Sequence, residues 1–407
     1  MRVLYTAAHG GFEREGVPLG GGAAVAGMLT AEWSRTRPFD FRLITPAVLG
    51  RGAPTGADLV AFEERKYAAF CEAFSRAATE EILCEDPRET VVLVNDISEG
   101  IDFRRVAEAG FRIHTIYHVD VVAYVARIYA RGWVSPERLV RWWPRLRPVL
   151  PRLTRLIFEQ QEHSLLYSRS VIVPSAGMKE ILVRCYPAIP RERIVVLAWG
   201  SPPLEPACAF PVEFEIPDGA CVLLTLSRIS PEKGQDRLIE AFIEWEARGD
   251  FPSVPLVLFV CGGAAYMMGE RYLARLRELA GKLRRVRVYF PGHVTGPLKT
   301  AFYKRADIYV FASRHESYGL TLEEAQSAGL ASVCFESDGV REVLTPETGY
   351  LVRTREELRA ALGRLIGDGG LRASMGAAAR RRADARPFAR AAERLQTILA
   401  DAIPGRS

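Results

Sequence analysis

Residues 222–234 read VLLTLSRISPEKG. The first five are apolar or β-branched without alternation, which predicts a strand buried on both faces, as in a parallel sheet covered by helices. Ser230-Pro231-Glu232 then carries a helix-start signature: a capping hydroxyl, a proline in the first turn and an acid. Lys233 fits that scheme poorly, because a cation in the first turn opposes the helix dipole unless an anion lies between them. Arg228, at the strand end, is expected to face the same space. Two solvated basic residues are one reading. The other is a clamp on a diphosphate, with forked donors from Arg228 and a point charge from Lys233.

The same texture recurs outward from this stretch. Downstream, the runs Leu256–Cys261, Val286–Phe290, Ile308–Phe311 and Ala331–Phe335 predict further buried strands, each trailed by a helical pattern. Upstream, Val3–Ala7, Phe41–Thr45, Val91–Val94, Ile113–Tyr117, Val171–Pro174 and Ile194–Leu197 form a second series, with helical spacing over Leu59–Leu83 and Leu153–Leu166. Between the series, residues 201–217 (SPPLEPACAFPVEFEIP) are proline-rich and lack helical periodicity, which predicts a linker. The fold class is therefore α/β: two doubly wound, Rossmann-like domains facing each other across a cleft. Residues 1–200 form the first, 218–385 the second, and 386–407 a C-terminal helix expected to pack back on the first. Such sheets bind ligands at the carboxyl ends of their strands.

A second motif, SRHESYGLTLEEA at 313–325, follows the predicted strand Ile308–Phe311, turns at a glycine and enters a helix. Backbone N–H groups near Tyr318, Gly319 and Leu320 would then be open to phosphate or sugar hydroxyls. Glu316 and Glu324 can both reach a ligand lying across the turn. Thr321 and Glu324 also have capping-box spacing, so Glu324 has a second reading as a satisfier of backbone donors. Gly262 and Gly263 follow one strand, where glycine permits close approach of backbone to a ligand. Pro291-Gly292-His293-Val294 follows the next and can present main chain to a nucleobase.

Bulk properties restrict the function classes. A chain of 407 residues suits two domains of roughly 200 each. A net charge of +5 fits an anionic ligand or membrane surface and does not by itself indicate nucleic acid. The seven cysteines are scattered without a C-x-x-C pair, which argues against a disulfide framework or zinc site and for a reducing cytoplasm. MRVLYTAA at the start reads as a strand without a signal-peptide cleavage pattern, and no run approaches the ~18 apolar residues of a span. Any membrane contact is expected from the side.

Taken together, these segments resemble the GT-B-fold retaining glycosyltransferases of family 4, the group that includes glycogen and sucrose-phosphate synthases. The resemblance rests on SR-x4-KG at 227–234, on the E-x7-E pair Glu316/Glu324, on Asp338-Gly339-Val340-Arg341-Glu342-Val343 and on Gly349-Tyr350-Leu351-Val352. It covers nearly all of 220–355 and is looser before that. It implies transfer of a sugar from a UDP-, GDP- or ADP-linked donor, as co-substrate, to an acceptor hydroxyl. No cofactor or metal is implied, in keeping with the lack of any D-x-D triplet. Arg228 and Lys233 would bind the diphosphate, Glu324 the ribose, Val294 the base through its backbone, and Glu316 with the following amides the transferred sugar. Gly20-Gly21-Gly22 matches the family's glycine loop, and His118 falls where the family often keeps a histidine near the donor sugar. Where many relatives have Asn-Gly after the last N-terminal strand, this chain has Trp199-Gly200, which leaves that position unassigned.

The segment 131–155 carries Arg131, Arg138, Arg141, Arg145, Arg147, Arg152 and Arg155 with Trp133, Trp142 and Trp143, against Glu137 alone. Arginine with tryptophan on an amphipathic segment suits an anionic lipid interface, and peripheral contact with the inner face of a membrane is one expectation. A packed helical insertion with snorkelling arginines is another, and a basic acceptor or subunit surface the third. The competing functions are a nucleotide-sugar epimerase on the same scaffold and a subunit that binds nucleotide sugar without transferring it. A nicotinamide enzyme ranks lower, because HGGFEREGVPLGGG after the first strand lacks G-x-G-x-x-G.

Overall fold

The computed structural model describes residues 1–12, 17, 20–126, 133–265 and 268–401. The chain forms two compact units, one of residues 1–198 with 389–407 and one of residues 199–388. Each is built on a six-stranded sheet whose paired strands all run parallel.

In the first unit the strands are β1 (Arg2–Thr6), β2 (Asp40–Ile44), β3 (Thr90–Val94), β4 (Arg112–Ile116), β5 (Ser170–Val173) and β6 (Ile194–Val196). Their order is β2-β1-β3-β4-β5-β6. The central β3 is buried at every position, as its unbroken apolar run predicts. The edge strand β2 is exposed or half-buried at four of its five residues. Expected helix Leu59–Leu83 is two helices, Gly56–Ala61 and Glu64–Leu83, because Phe62 is extended between them. The second expected helix runs Arg152–Tyr167.

In the second unit the strands are β7 (Cys221–Leu226), β8 (Leu256–Cys261), β9 (Val286–Gly292), β10 (Ile308–Phe311), β11 (Ala331–Phe335) and β12 (Gly349–Val352). Their order is β12-β11-β10-β7-β8-β9. A large apolar core, including Leu223, Phe242, Leu258 and Val310, covers this sheet. Residues 201–217, expected as a linker, fall within this unit. Phe210 and Phe214 there meet Phe259 and Phe302 edge-on, with centroids 5.0 to 5.8 Å apart. The helix Phe388–Ala400 begins where the chain leaves this unit.

Each sheet has one point where consecutive strands leave in opposite directions: between β1 and β3 in the first unit, and between β7 and β10 in the second. The loops following these strands open there, and open α/β sheets bind ligands at such points.

Candidate active site

In the second unit the switch point gathers the two motifs. The 227–234 segment follows β7 and the 313–325 segment follows β10, and these strands pair directly. Pro231–Lys233 forms a single 3-10 turn, and the α-helix begins only at Gln235. Lys233 is therefore not in the first turn of the α-helix, contrary to the sequence expectation. The reason is Gly234, which adopts φ +66° between the two. A Cβ on Gly234 would lie 2.2 Å from the Ala312 carbonyl oxygen, so the turn packs onto the end of β10 only as glycine. Ser230 makes no capping bond to backbone; its hydroxyl donates to Glu232 at 2.6 Å.

That turn delivers Lys233 to Glu316, Nζ to Oε2 at 2.7 Å. Ser313 Oγ donates to the same oxygen at 3.3 Å. Burial pushes the Glu316 carboxyl up, but Lys233, His315 and Arg228 outweigh it and hold the group below the usual carboxylate range. Arg228 lies 3.8 Å from Glu232, and its carbonyl accepts from Gln235 Nε2 at 2.8 Å. Two cations and an ionised carboxylate thus share one strand-end crevice.

Glu324 sits in the helix Leu320–Ser327, whose N-cap is Gly319 at φ 106°. No side chain caps this helix, so the Thr321/Glu324 capping box is not formed. Instead Lys299 Nζ donates to Glu324 Oε1 at 2.6 Å and Tyr303 OH to Oε2 at 2.9 Å. Thr321 Oγ1 accepts from Tyr309 OH at 2.9 Å. The downstream Asp338-Gly339 supports this loop from behind. Gly339 N donates to Glu316 O at 3.0 Å, and a Cβ there would strike Tyr318 N at 2.3 Å.

The Gly262-Gly263 pair has a packing role in this geometry. A Cβ on Gly262 would lie 1.8 Å from the Ser227 carbonyl oxygen, while Gly263 O accepts from Ile229 N at 2.9 Å. The pair lets the β8 loop press against the Arg228 segment. Val294 is buried beside His293, whose imidazole is held low by burial and by the Lys299 charge.

The first unit builds its own polar cluster at its switch point. Gly20 (φ +105°) caps the helix Gly21–Thr36. The Gly22 carbonyl accepts from Asn95 Nδ2 at 3.3 Å, and a Cβ on Gly22 would meet the His118 ring at 3.1 Å. Asn95 Oδ1 accepts from Tyr5 OH at 2.6 Å and from His118 Nε2 at 3.0 Å. Burial, partly offset by Asp96, takes His118 down to about 4, so it is neutral at pH 7. Part of the preceding loop, residues 13–16 and 18–19, lies outside the described residues.

Sequence reasoning missed Asn95, Asp96, His9 and Glu99 here, and Lys299 and Tyr303 in the other unit. The polar residues directly after the β1 and β3 runs were the available signal. His9, Asp96 and Glu99 are the candidate metal-holding group among the described residues, with ligand atoms within 4.8 Å of one another. His9 turns opposite ring nitrogens to the two acids, Nδ1 to Asp96 at 3.4 Å and Nε2 to Glu99 at 3.8 Å. That is an imidazole bridging two carboxylates and not three atoms around one point. Ala8 N donates to the outer oxygen of Asp96, while Tyr67 OH donates to Glu99 Oε1, the oxygen that faces His9.

Residues 209–382 match the family described as Glycosyl transferases group 1. A D-inositol 3-phosphate glycosyltransferase from Salinispora tropica is 33% identical over 174 residues, 42% of this chain and 36% of that protein. Its counterpart from Corynebacterium aurimucosum is 36% identical over 194 residues, 46% of this chain and 45% of that protein. The chain thus spans less than half the length of these two curated relatives. Over the whole fold, a sucrose-phosphate synthase structure from Thermosynechococcus elongatus aligns with a TM-score of 0.72 at 16% identity, covering 98% of each chain. Residues 209–382 are thus similar to the group 1 glycosyl transferases, and the two six-stranded parallel units have the GT-B fold.

Proposed function

We propose that this protein is a retaining glycosyltransferase that moves a sugar from a nucleoside-diphosphate donor to an acceptor hydroxyl, without a metal ion on the diphosphate. The Lys233–Glu316 pair beside Arg228, at the switch point of the second unit, carries this reading. The names of the two curated relatives agree with the glycosyl-transfer part of it. As the bond from the sugar's anomeric carbon to the diphosphate breaks, its electron pair leaves with the phosphate oxygen. Arg228 and Lys233 neutralise the growing charge from preorganised positions. The acceptor oxygen bonds to the anomeric carbon from the face the diphosphate leaves, and its proton passes to the departing phosphate. Retention of configuration follows.

Glu316, ionised and held by Lys233, orients that cation and meets the sugar's hydroxyls together with the amides at Tyr318, Gly319 and Leu320. It is not assigned the covalent role of a glycosidase carboxylate. Glu324 is assigned the ribose hydroxyls and Val294 the base. Within the first unit, neutral His118 is the candidate for a donor-sugar hydroxyl, and Gly21 and Gly22 are the candidates for donor phosphate and acceptor. A thermal-shift panel of UDP-, GDP- and ADP-sugars tests the donor assignment: one nucleotide raises Tm selectively. No shift with any of them, followed by no transfer, overturns it.

A second proposal concerns the segment 133–155, because it leaves large apolar side chains in solvent. Trp133 is 88% exposed, Trp142 44% and Val149 79%. Arg138, Arg141 and Arg145 are exposed on the same helix, Pro136–Leu146, which starts at a Ser135 cap. Such a surface suits an anionic bilayer, with arginines at the headgroups and tryptophans at the interface. Trp143 does not share in it. It is buried against Phe158, stacked at 4.9 Å, and anchors the helix to the first unit. Arg147 pairs with Glu159 and Arg152 with Glu72. Arg131 lies outside the described residues. No helix among the described residues is long and apolar enough to cross a membrane.

A further inference from the structure

Trp199-Gly200, at the position the sequence left unassigned, lies where the chain enters the second unit, and Phe388 is where it leaves. The two passages are fastened side by side. Ser201 N donates to Arg386 O at 2.7 Å, and Phe388 N to Ser201 O at 3.0 Å. The Trp199 and Phe388 rings stack at 6.1 Å. Gly200 has φ +68°, and a Cβ there would lie 2.3 Å from Arg386 O, so the passages approach this closely only with glycine.

The loop 316–320 is tied to the same point. Gly200 N donates to Tyr318 OH at 2.7 Å, and Tyr318 OH donates to Glu323 Oε1 at 2.6 Å. Ser201 Oγ donates to Glu323 Oε2 at 2.8 Å, and Arg386 lies 3.7 Å from Glu323. Glu323 is fully buried, at 0% exposure. A carboxyl group so placed is costly unless its oxygens are satisfied. Its partners come from three places: the 316–320 loop, the incoming passage and the outgoing passage. An apolar residue would fill the same space more cheaply but would tie none of them together.

We infer that Tyr318 and Glu323 are positioning residues that link the conformation of the 316–320 loop to the two chain passages. A nucleoside-diphosphate sugar seated on that loop then also restrains residues 199–201 and 386–388. The coupling rests on the donor reading of the loop proposed above. Its physical basis is short: Tyr318 precedes Gly319, whose φ of 106° sets the helix-start amides. Any rotation that re-aims those amides moves the Tyr318 hydroxyl against Gly200 and Glu323.

Hydrogen exchange on the full chain tests this, with saturating UDP-glucose, and GDP-mannose and ADP-glucose in parallel. The wild type is expected to show at least about threefold slower exchange both at 316–320 and at 199–201 with 386–388. Tyr318→Phe, which keeps the ring and removes the hydroxyl, should retain the first protection and lose the second. Glu323→Gln, which keeps the shape, should weaken the second in the same way. Protection of 316–320 in the wild type without protection of the passages overturns the coupling. So does full protection of the passages in both variants. Protection at neither place with any of the three nucleotide sugars overturns the donor reading, and the coupling with it.

Discussion

Lys233 Nζ and Glu316 Oε2 meet at 2.7 Å across 83 residues of sequence, brought together because β7 and β10 are neighbours at a reversal of strand order. Each neutralises the other, and under the proposed function an incoming diphosphate would compete with Glu316 for the lysine. Lys233→Met is therefore expected to lower donor turnover by about 10²–10³-fold, the cost of removing one preorganised charge partner. It also strands a partly buried carboxylate, at a cost of about 1–3 kcal/mol. The double variant Lys233→Met/Glu316→Gln should recover most of the stability and none of the turnover. Denaturant unfolding beside initial-rate assays separates the two effects, and near-normal turnover in Lys233→Met would remove the clamp assignment.

Gly234 supplies a second prediction. Its φ of +66° and the 2.2 Å that would separate an added Cβ from Ala312 O leave no room for alanine. Gly234→Ala should cost about 1–3 kcal/mol from backbone conformation alone, with the clash added. The Lys233 ammonium should shift off Glu316, so turnover falls together with Tm. Gly52→Ala is the control, because nothing lies within 4 Å of its would-be Cβ; it should leave both unchanged.

Acidification offers a third. His118 and His114 are both held down to about 4, mainly by burial, against an unfolded value of 6.5. Between those limits the unfolded chain binds more protons than the folded one, so stability rises with pH and is lost as pH falls from 6.5 toward 4. Each histidine should contribute an uptake of up to about one proton on unfolding near pH 5. Chemical denaturation from pH 7 to 4.5 reads this directly. His118→Gln should flatten the slope over that window, and an unchanged slope would show that His118 does not titrate low.

The strand pattern and the motifs that gather at the second unit's switch point were legible because each depends on local sequence: apolar runs of strand length, and segments that follow them directly. Arg228, Lys233, Glu316 and Glu324 were found this way. Lys299 and Tyr303 were not, because what singles them out is contact with Glu324, 25 and 21 residues away. His9, Asp96 and Glu99 escaped for the same reason: only the β1–β3 pairing brings their loops together. Composition misled at Trp143, which shares the surrounding arginine-rich texture yet faces inward, since period alone does not say which side of a short helix meets the core. Residues 201–217 looked like a linker because prolines hide the two phenylalanines that bind it to the sheet.

The exposed tryptophans give the last prediction. A bilayer contact made by Trp133 and Trp142, with Arg138, Arg141 and Arg145 beside them, has an apolar and an electrostatic part. Co-sedimentation with vesicles containing anionic lipid should occur at low salt and weaken as salt rises, because surface charges are screened beyond about 10 Å at 0.1 M. Trp133→Ser/Trp142→Ser should reduce binding at every salt concentration. Replacing the three arginines by glutamine should remove the salt dependence, each charge contributing about 1 kcal/mol near the surface. Trp143→Ser is a poor test, since it opens a cavity against Phe158 and destabilises the helix itself. Failure of the wild type to bind anionic vesicles at low salt would return this surface to the alternative of a basic face for a soluble partner. Binding that survives all five substitutions would place the contact elsewhere on the protein.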